Sequence, residues 1–154
     1  MTSEARRAVV EALIELAGSP DYRDRADAGR SLATFAEMHE ARGALWELVL
    51  DDRDTFVTRV TAEALLRRHD SAGLSVVASA LAAMGPGHHT PSQIDWIHAA
   101  VRDVFMVFAR DRDAAVRVCE VLARDPDAQV RAGADQLIAA LAEIDPILDP
   151  AEEG

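Results

Sequence analysis

The sequence predicts an all-α chain folded as an α-solenoid of about four antiparallel helix pairs. Three observations carry that expectation. Apolar residues recur at spacings of three and four along most of the chain, and no window sustains the alternation of a strand. Alanine is abundant and aromatic residues make up only 5%, which suits close-packed helices better than a β-sandwich. Finally, residues 24–32, 57–65 and 130–138 align without gaps, and Val57 lies 33 positions after Asp24, a solenoid-like period.

Each helix has a local reason. Ser3 to Ala17 puts Ala5, Val9, Ala12, Leu13 and Leu16 on one side and Glu4, Arg7, Glu11 and Glu15 on the other; Val10 and Ile14 widen the apolar arc. Gly18-Ser19-Pro20-Asp21 stops that helix and restarts the chain, with Ser19 expected as cap and Pro20 at the first helical position. The second helix is expected to run to about Met38, burying Ala28, Leu32, Phe35 and Ala36. The third spans about Glu40 to Leu50 with Leu45, Trp46, Leu48 and Val49. After the capping cluster 51–54, the fourth covers about Thr55 to His69 and buries Val57, Thr61, Ala64 and Leu65, with Phe56 and Val60 at the margin.

The fifth restarts at Asp70-Ser71 and reaches Met84. Gly85-Pro86-Gly87-His88-His89 is the longest break in the chain. Thr90-Pro91-Ser92-Gln93 then matches a capping box. The sixth helix, about Pro91 to Arg110, is the most apolar, with Ile94, Ile97, Val101, Val104, Phe105 and Phe108. The seventh, about Ala114 to Arg124, carries Val116, Val118, Val121 and Leu122. In the eighth, Asp125 is expected to cap, Pro126 to take the first position, and Val130, Ala134, Leu137, Ile138 and Leu141 to form the stripe. Small residues between them should let a neighbouring helix approach closely. Residues 1–146 read as one helical domain and 147–154 as a loose acidic tail.

Composition bounds the partners. The formal charge of −11 (27 acidic against 16 basic residues) disfavours nucleic acid and anionic membrane and suits a basic protein partner. All basic residues are Arg, read as codon bias. The lone Cys119 sits in an apolar helical pattern and reads as a buried, inert thiol. No signal-peptide core or membrane span is legible, so a cytoplasmic location is expected.

The unit Asp125-Pro126-Asp127-Ala128-Gln129-Val130-Arg131, followed by Ala and Leu at helical spacing, resembles the HEAT-repeat family, especially its short bacterial form. Residues 54–65 match with Thr58 in the Arg place, and 21–32 match with Asp24 in the Val place; 71–110 match only by helix pattern. The resemblance implies a HEAT-like superhelix in which the motif Asp and Arg brace adjacent repeats, so Asp127 and Arg131 are expected to be structural. It also implies that the second, fourth, sixth and eighth helices line a concave, shallow surface. On that surface Arg23, Asp27, Arg30, Arg59, Glu63, Arg67, Trp96 and Asp103 are the candidate partner contacts. An aromatic beside a carboxylate, Trp96 with Asp103, suits an anchor for a partner.

Three further features stand out in the sequence. No Asp, Glu or Arg occurs from Ser71 to Ile94, which fits a central, covered helix or an apolar patch for a second copy of the chain. His88 and His89, with Asp95 and His98, are weak metal candidates, because adjacent loop histidines point apart and His98 falls on the apolar side. Ala100 and Val107 extend the Trp96–Asp103 stripe, an arrangement similar to the groove of HEAT-like alkylpurine DNA glycosylases; bilin-lyase-type HEAT proteins have similar repeats. No phosphate loop, Ser-His-Asp order or Cys-His pair is legible. The expected function is therefore a non-enzymatic protein–protein interaction module without cofactor or metal. An immunity or inhibitor role against a basic partner, or a HEAT-like enzyme, is the alternative.

Overall fold

The computed structural model describes residues 1–84 and 91–148. Its helices are α1 (Ser3–Ala17), α2 (Tyr22–Ala33), α3 (His39–Val49), α4 (Thr55–Leu66), α5 (Ser71–Ala83), α6 (Pro91–Phe105), α7 (Ala109–Leu122) and α8 (Ala128–Ala142). The fold is all-helical and neighbouring helices pack in series. The odd helices α1, α3, α5 and α7 lie side by side, as do α2, α4 and α6. One core runs through the stack, with Leu32, Leu45, Leu65, Leu74, Phe105, Leu137 and Leu141 among its fully buried side chains. Burying each such side chain is worth about 1.5–3 kcal/mol, so continuity of the core outweighs any single surface pair.

The series is irregular at the third pair. α5 makes its most extensive contact with α8, while α6 lies mainly against α4. The sequence permits this through Gly133. A methyl group there would stand 1.7 Å from the Ala78 carbonyl oxygen, so the α5 and α8 backbones nearly touch. Gly29 of α2 instead makes room for a side chain of α4, since an added Cβ would meet Thr61 Oγ1 at 2.1 Å. The expected close approach at small residues is thus found. Within the α5 part of the uncharged stretch, Gly73, Leu74, Val76, Val77, Ala78, Ala80 and Leu81 are buried in a helix covered by α3, α4, α7 and α8; residues 85–90 of that stretch lie outside the described residues.

Helix starts differ from expectation in one consistent way. Asp21, not Ser19, caps α2, and Asp127, not Asp125, caps α8. In each case the earlier residue turns the chain instead. Ser19 Oγ accepts from the Asp21 N–H (3.1 Å), and Asp125 Oδ1 accepts from the Asp127 N–H (2.9 Å). Proline therefore precedes the cap, where its missing donor costs nothing. The motif arginine closes the same turn. Arg25 Nη1 donates to the Ser19 and Pro20 carbonyls (3.1 and 3.0 Å), and Arg131 Nη1 to those of Asp125 and Pro126 (2.7 and 2.9 Å). Thr58, in the same place in α4, donates to the Asp51 carbonyl at 3.4 Å.

Arg25 also reaches the next repeat. It is 2% exposed and its Nε meets Asp51 Oδ2 at 2.8 Å; Asp51 is 8% exposed. Burial alone would raise the Asp51 pKa, but hydrogen bonds from Arg25 and from the Asp54 and Arg53 N–H groups hold it below the usual carboxylate value. Gln93 on α6 joins this node, donating to the Leu50 and Asp51 carbonyls at 3.2 and 2.7 Å. Its side chain thus serves the α3–α4 turn; its expected capping partner Thr90 lies outside the described residues. A second brace crosses the opposite ends of the helices. Glu37 pairs with Arg6 and with Arg68, which also holds Asp70 at 2.9 Å and the Ala33 carbonyl at 2.9 Å. That last bond falls where α2 stops, five residues before the expected Met38. Likewise α4 stops at Leu66, and His69 takes a left-handed φ of 57° before α5.

α6 ends at Phe105 and α7 begins at Ala109, where one helix to Arg110 and another from Ala114 were expected. The cause is long-range. The Ile147 and Leu148 N–H groups donate to the Met106 and Val107 carbonyls, and the Ala109 N–H donates to the Leu148 carbonyl. The apolar run 104–108 has helical spacing, but these bonds draw 106–108 out as a linker. Phe108 is consequently exposed rather than buried. Residues 147 and 148, expected to be loose, are held by the same bonds; 149–154 lie outside the described residues.

Candidate functional site

Seven of the eight expected contact residues form two groups on the face built by α2, α4 and α6. Arg59 centres the first. Its Nε meets Glu63 Oε1 at 3.1 Å, one turn on along α4, and its Nη2 meets Asp103 Oδ2 on α6 at 2.7 Å. Its guanidinium lies over the Trp96 ring, 5.3 Å from the centroid. The hydrogen bond to Glu63 and the contacts with Asp103 raise the Arg59 pKa further, despite some burial. Trp96 stays 36% exposed. The cluster is thus pre-formed, and its aromatic remains available to solvent.

The second group lies between α2 and α4. Arg30 pairs with Asp27 at 3.3 Å and stacks over Phe56, 5.9 Å from its centroid. Phe56 meets Tyr22 edge-on, with centroids 6.0 Å apart. Arg23 lies over Tyr22 at 5.6 Å and pairs with Asp21 at 3.7 Å. Arg67 caps the end of α4 as an exposed side chain and joins neither group.

Tyr22 and Phe56 were not among the expected contacts. Phe56 had been placed at the margin of the buried arc, yet it is 43% exposed. Their legible signal is position: each falls in the first turn after a capping Asp, before the helix enters the stack. Five Arg–aromatic pairs are present among the described residues. Three of the five hold the exposed rings of Tyr22, Phe56 and Trp96 on this one face.

The other candidates are not brought together. His88 and His89 lie outside the described residues. Asp95 is exposed and His98 half-buried, and no cluster of metal-binding side chains occurs among the described residues. Val107 leaves the Trp96 stripe because α6 has already ended. Cys119 is buried, and burial pushes its thiol up to about 11. No helix among the described residues is long and apolar enough to cross a membrane.

Two grooves lie elsewhere. One, of about 570 Å³, is floored by Arg25 and Asp51 between the end of α1 and α3. The other, of about 790 Å³, runs over α5 between α3 and the start of α8. Neither is lined by Trp96 or Asp103.

No protein-family model matches the chain, and no curated protein does. A solved crystal structure of an engineered protein from the Northeast Structural Genomics Consortium is similar at 22% identity, with a TM-score of 0.39. The match covers 86% of this chain and 62% of that one. A likeness so distant fixes neither family nor function.

Proposed function

We propose that the chain is a HEAT-like protein-interaction module that binds a partner protein through the α2–α4–α6 face and works in the cytoplasm. The observation that carries this reading is the row of exposed aromatics, Tyr22, Phe56 and Trp96, each with an arginine over its ring. Held aromatic and Arg side chains are the residue types that dominate binding energy, because little rotamer freedom remains to be lost on association. The Arg25–Asp51 brace between successive repeats supports the family reading. The acidic balance of the whole chain favours a basic partner, as an immunity or inhibitor protein would meet.

The test is affinity capture from the source cells with wild type, Trp96→Ala and the double variant Tyr22→Ala/Phe56→Ala. A partner captured by wild type and lost from both variants supports the face. A partner retained equally by all three proteins overturns it.

A further inference from the structure

We propose that the groove over α5 is a second interaction surface, which seats an extended, arginine-rich segment of a protein partner. It is built by α3, α5 and the start of α8, separate from the α2–α4–α6 face, so its failure would leave the first proposal standing. Its volume of about 790 Å³ is in the range of sites that enclose a ligand.

The floor is a line of hydroxyls. Ser71, Ser75 and Ser79 are spaced by four along α5 and all line the groove. Two of them have their protons engaged. Ser75 Oγ donates to the Ala72 carbonyl at 3.0 Å, and Ser79 Oγ donates to Gln129 Oε1 at 3.2 Å. What these two hydroxyls still offer an incoming group is acceptor lone pairs. From Ser71 to Ser79 the helix rises ~12 Å. An extended chain advances ~3.3 Å per residue, so about four residues span the floor and about two of their side chains point into it.

The walls select the charge. Glu40, Asp125 and Asp127 line the groove against the His39 imidazole and one guanidinium, that of Arg42, whose Nε is already directed to the Ala36 carbonyl at 3.2 Å. Asp125 and Asp127 each accept backbone N–H groups, which leaves their negative charge in place. Half-buried Trp46 forms part of the α3 wall. A ring there, beside acceptors and carboxylates, suits a planar guanidinium better than a compact ammonium. The field of a chain with formal charge −11 would steer such a segment inward.

The test uses fluorescein-labelled octa-arginine and octa-lysine, read by anisotropy at low salt on the full chain. Binding is expected to favour octa-arginine. Ser75→Arg places a cation on the floor and should weaken it by about tenfold, a typical coupling for close charges. Glu40→Gln, at an exposed position that leaves the core intact, should weaken it by a smaller factor. Glu11→Gln/Glu15→Gln on remote α1 has the same kind of charge change and should leave affinity within twofold. Equal loss in the α1 and groove variants would show diffuse attraction to an acidic protein and overturn the proposal. So would undiminished binding by folded Ser75→Arg, or failure of octa-arginine to bind.

Discussion

Gly133→Ala tests the stacking argument most directly, because two effects of opposite sign compete at one methyl group. In a helix interior alanine is favoured over glycine by about 1 kcal/mol. At position 133 the new Cβ would stand 1.7 Å from the Ala78 carbonyl oxygen and 2.2 Å from its carbon. Ordinary carbon–oxygen contacts lie near ~3.3 Å or beyond, so α5 and α8 must part by roughly 1.5 Å. The obstacle is backbone and cannot rotate away. A gap of even ~1 Å forfeits up to about half the dispersion energy of the atoms facing it, and overpacking a core costs about 1–3 kcal/mol. Because α5–α8 is the most extensive helix contact, the upper end applies, giving a net loss of about 2 kcal/mol after the propensity gain. Gly43→Ala is the matched control. It lies inside α3 with nothing within 4 Å of an added Cβ, so it should stabilise by about 0.5–1 kcal/mol. Thermal unfolding followed by far-UV circular dichroism should show Gly133→Ala lower by about 4–8 °C and Gly43→Ala slightly higher. A Gly133→Ala protein as stable as wild type would refute the close crossing and the reasoning built on it.

Two further perturbations probe the braces between repeats. Asp51→Asn leaves the Arg25 guanidinium buried without its counter-charge and should cost about 3–5 kcal/mol in urea denaturation, whereas a change within error would show the node to be dispensable. Acid should weaken the fold with a defined sign. Burial opposes ionisation of Asp51 and Glu37, yet hydrogen bonds and the arginines hold both below their ordinary values of 3.8 and 4.5. Their contribution is fully present above those ordinary values and is lost as pH falls below them through the lowered folded-state values. Melting temperature should therefore drop below about pH 4.5, less steeply in Glu37→Gln, and a Glu37→Gln profile parallel to wild type would count against the Arg6–Glu37–Arg68 link.

The fold was legible because helix-forming information is local. Stripe spacing and capping residues place all eight helices of the described residues. Boundaries went astray where a distant residue decided them. The Arg68 side chain takes the last carbonyl of α2, and the backbone of Ile147 and Leu148 stops α6. The caps were off by two positions because Ser19 and Asp125 compete with the true caps for the same role, and only geometry shows that each folds the turn for the aspartate that follows. At the candidate face, charge and stripe arguments brought Arg59, Glu63, Trp96 and Asp103 together. They missed Tyr22 and Phe56: Phe56 lies in an apolar pattern that reads as core until its helix is positioned against a neighbour, and Tyr22 stands among charged residues with no stripe to mark it. The groove over α5 has no signal in the linear chain, since its walls come from segments far apart in sequence.

The reach of α8 back across α5 changes how the molecule should come apart. An array in which every unit touches only its neighbours can fray from one end, unit by unit. Here the terminal helix covers one from the middle, so detaching it strips the centre of its shield, and melting becomes cooperative rather than sequential. The same tie raises the mean separation of contacting residues, and refolding should be slower than for a strictly nearest-neighbour stack of equal length.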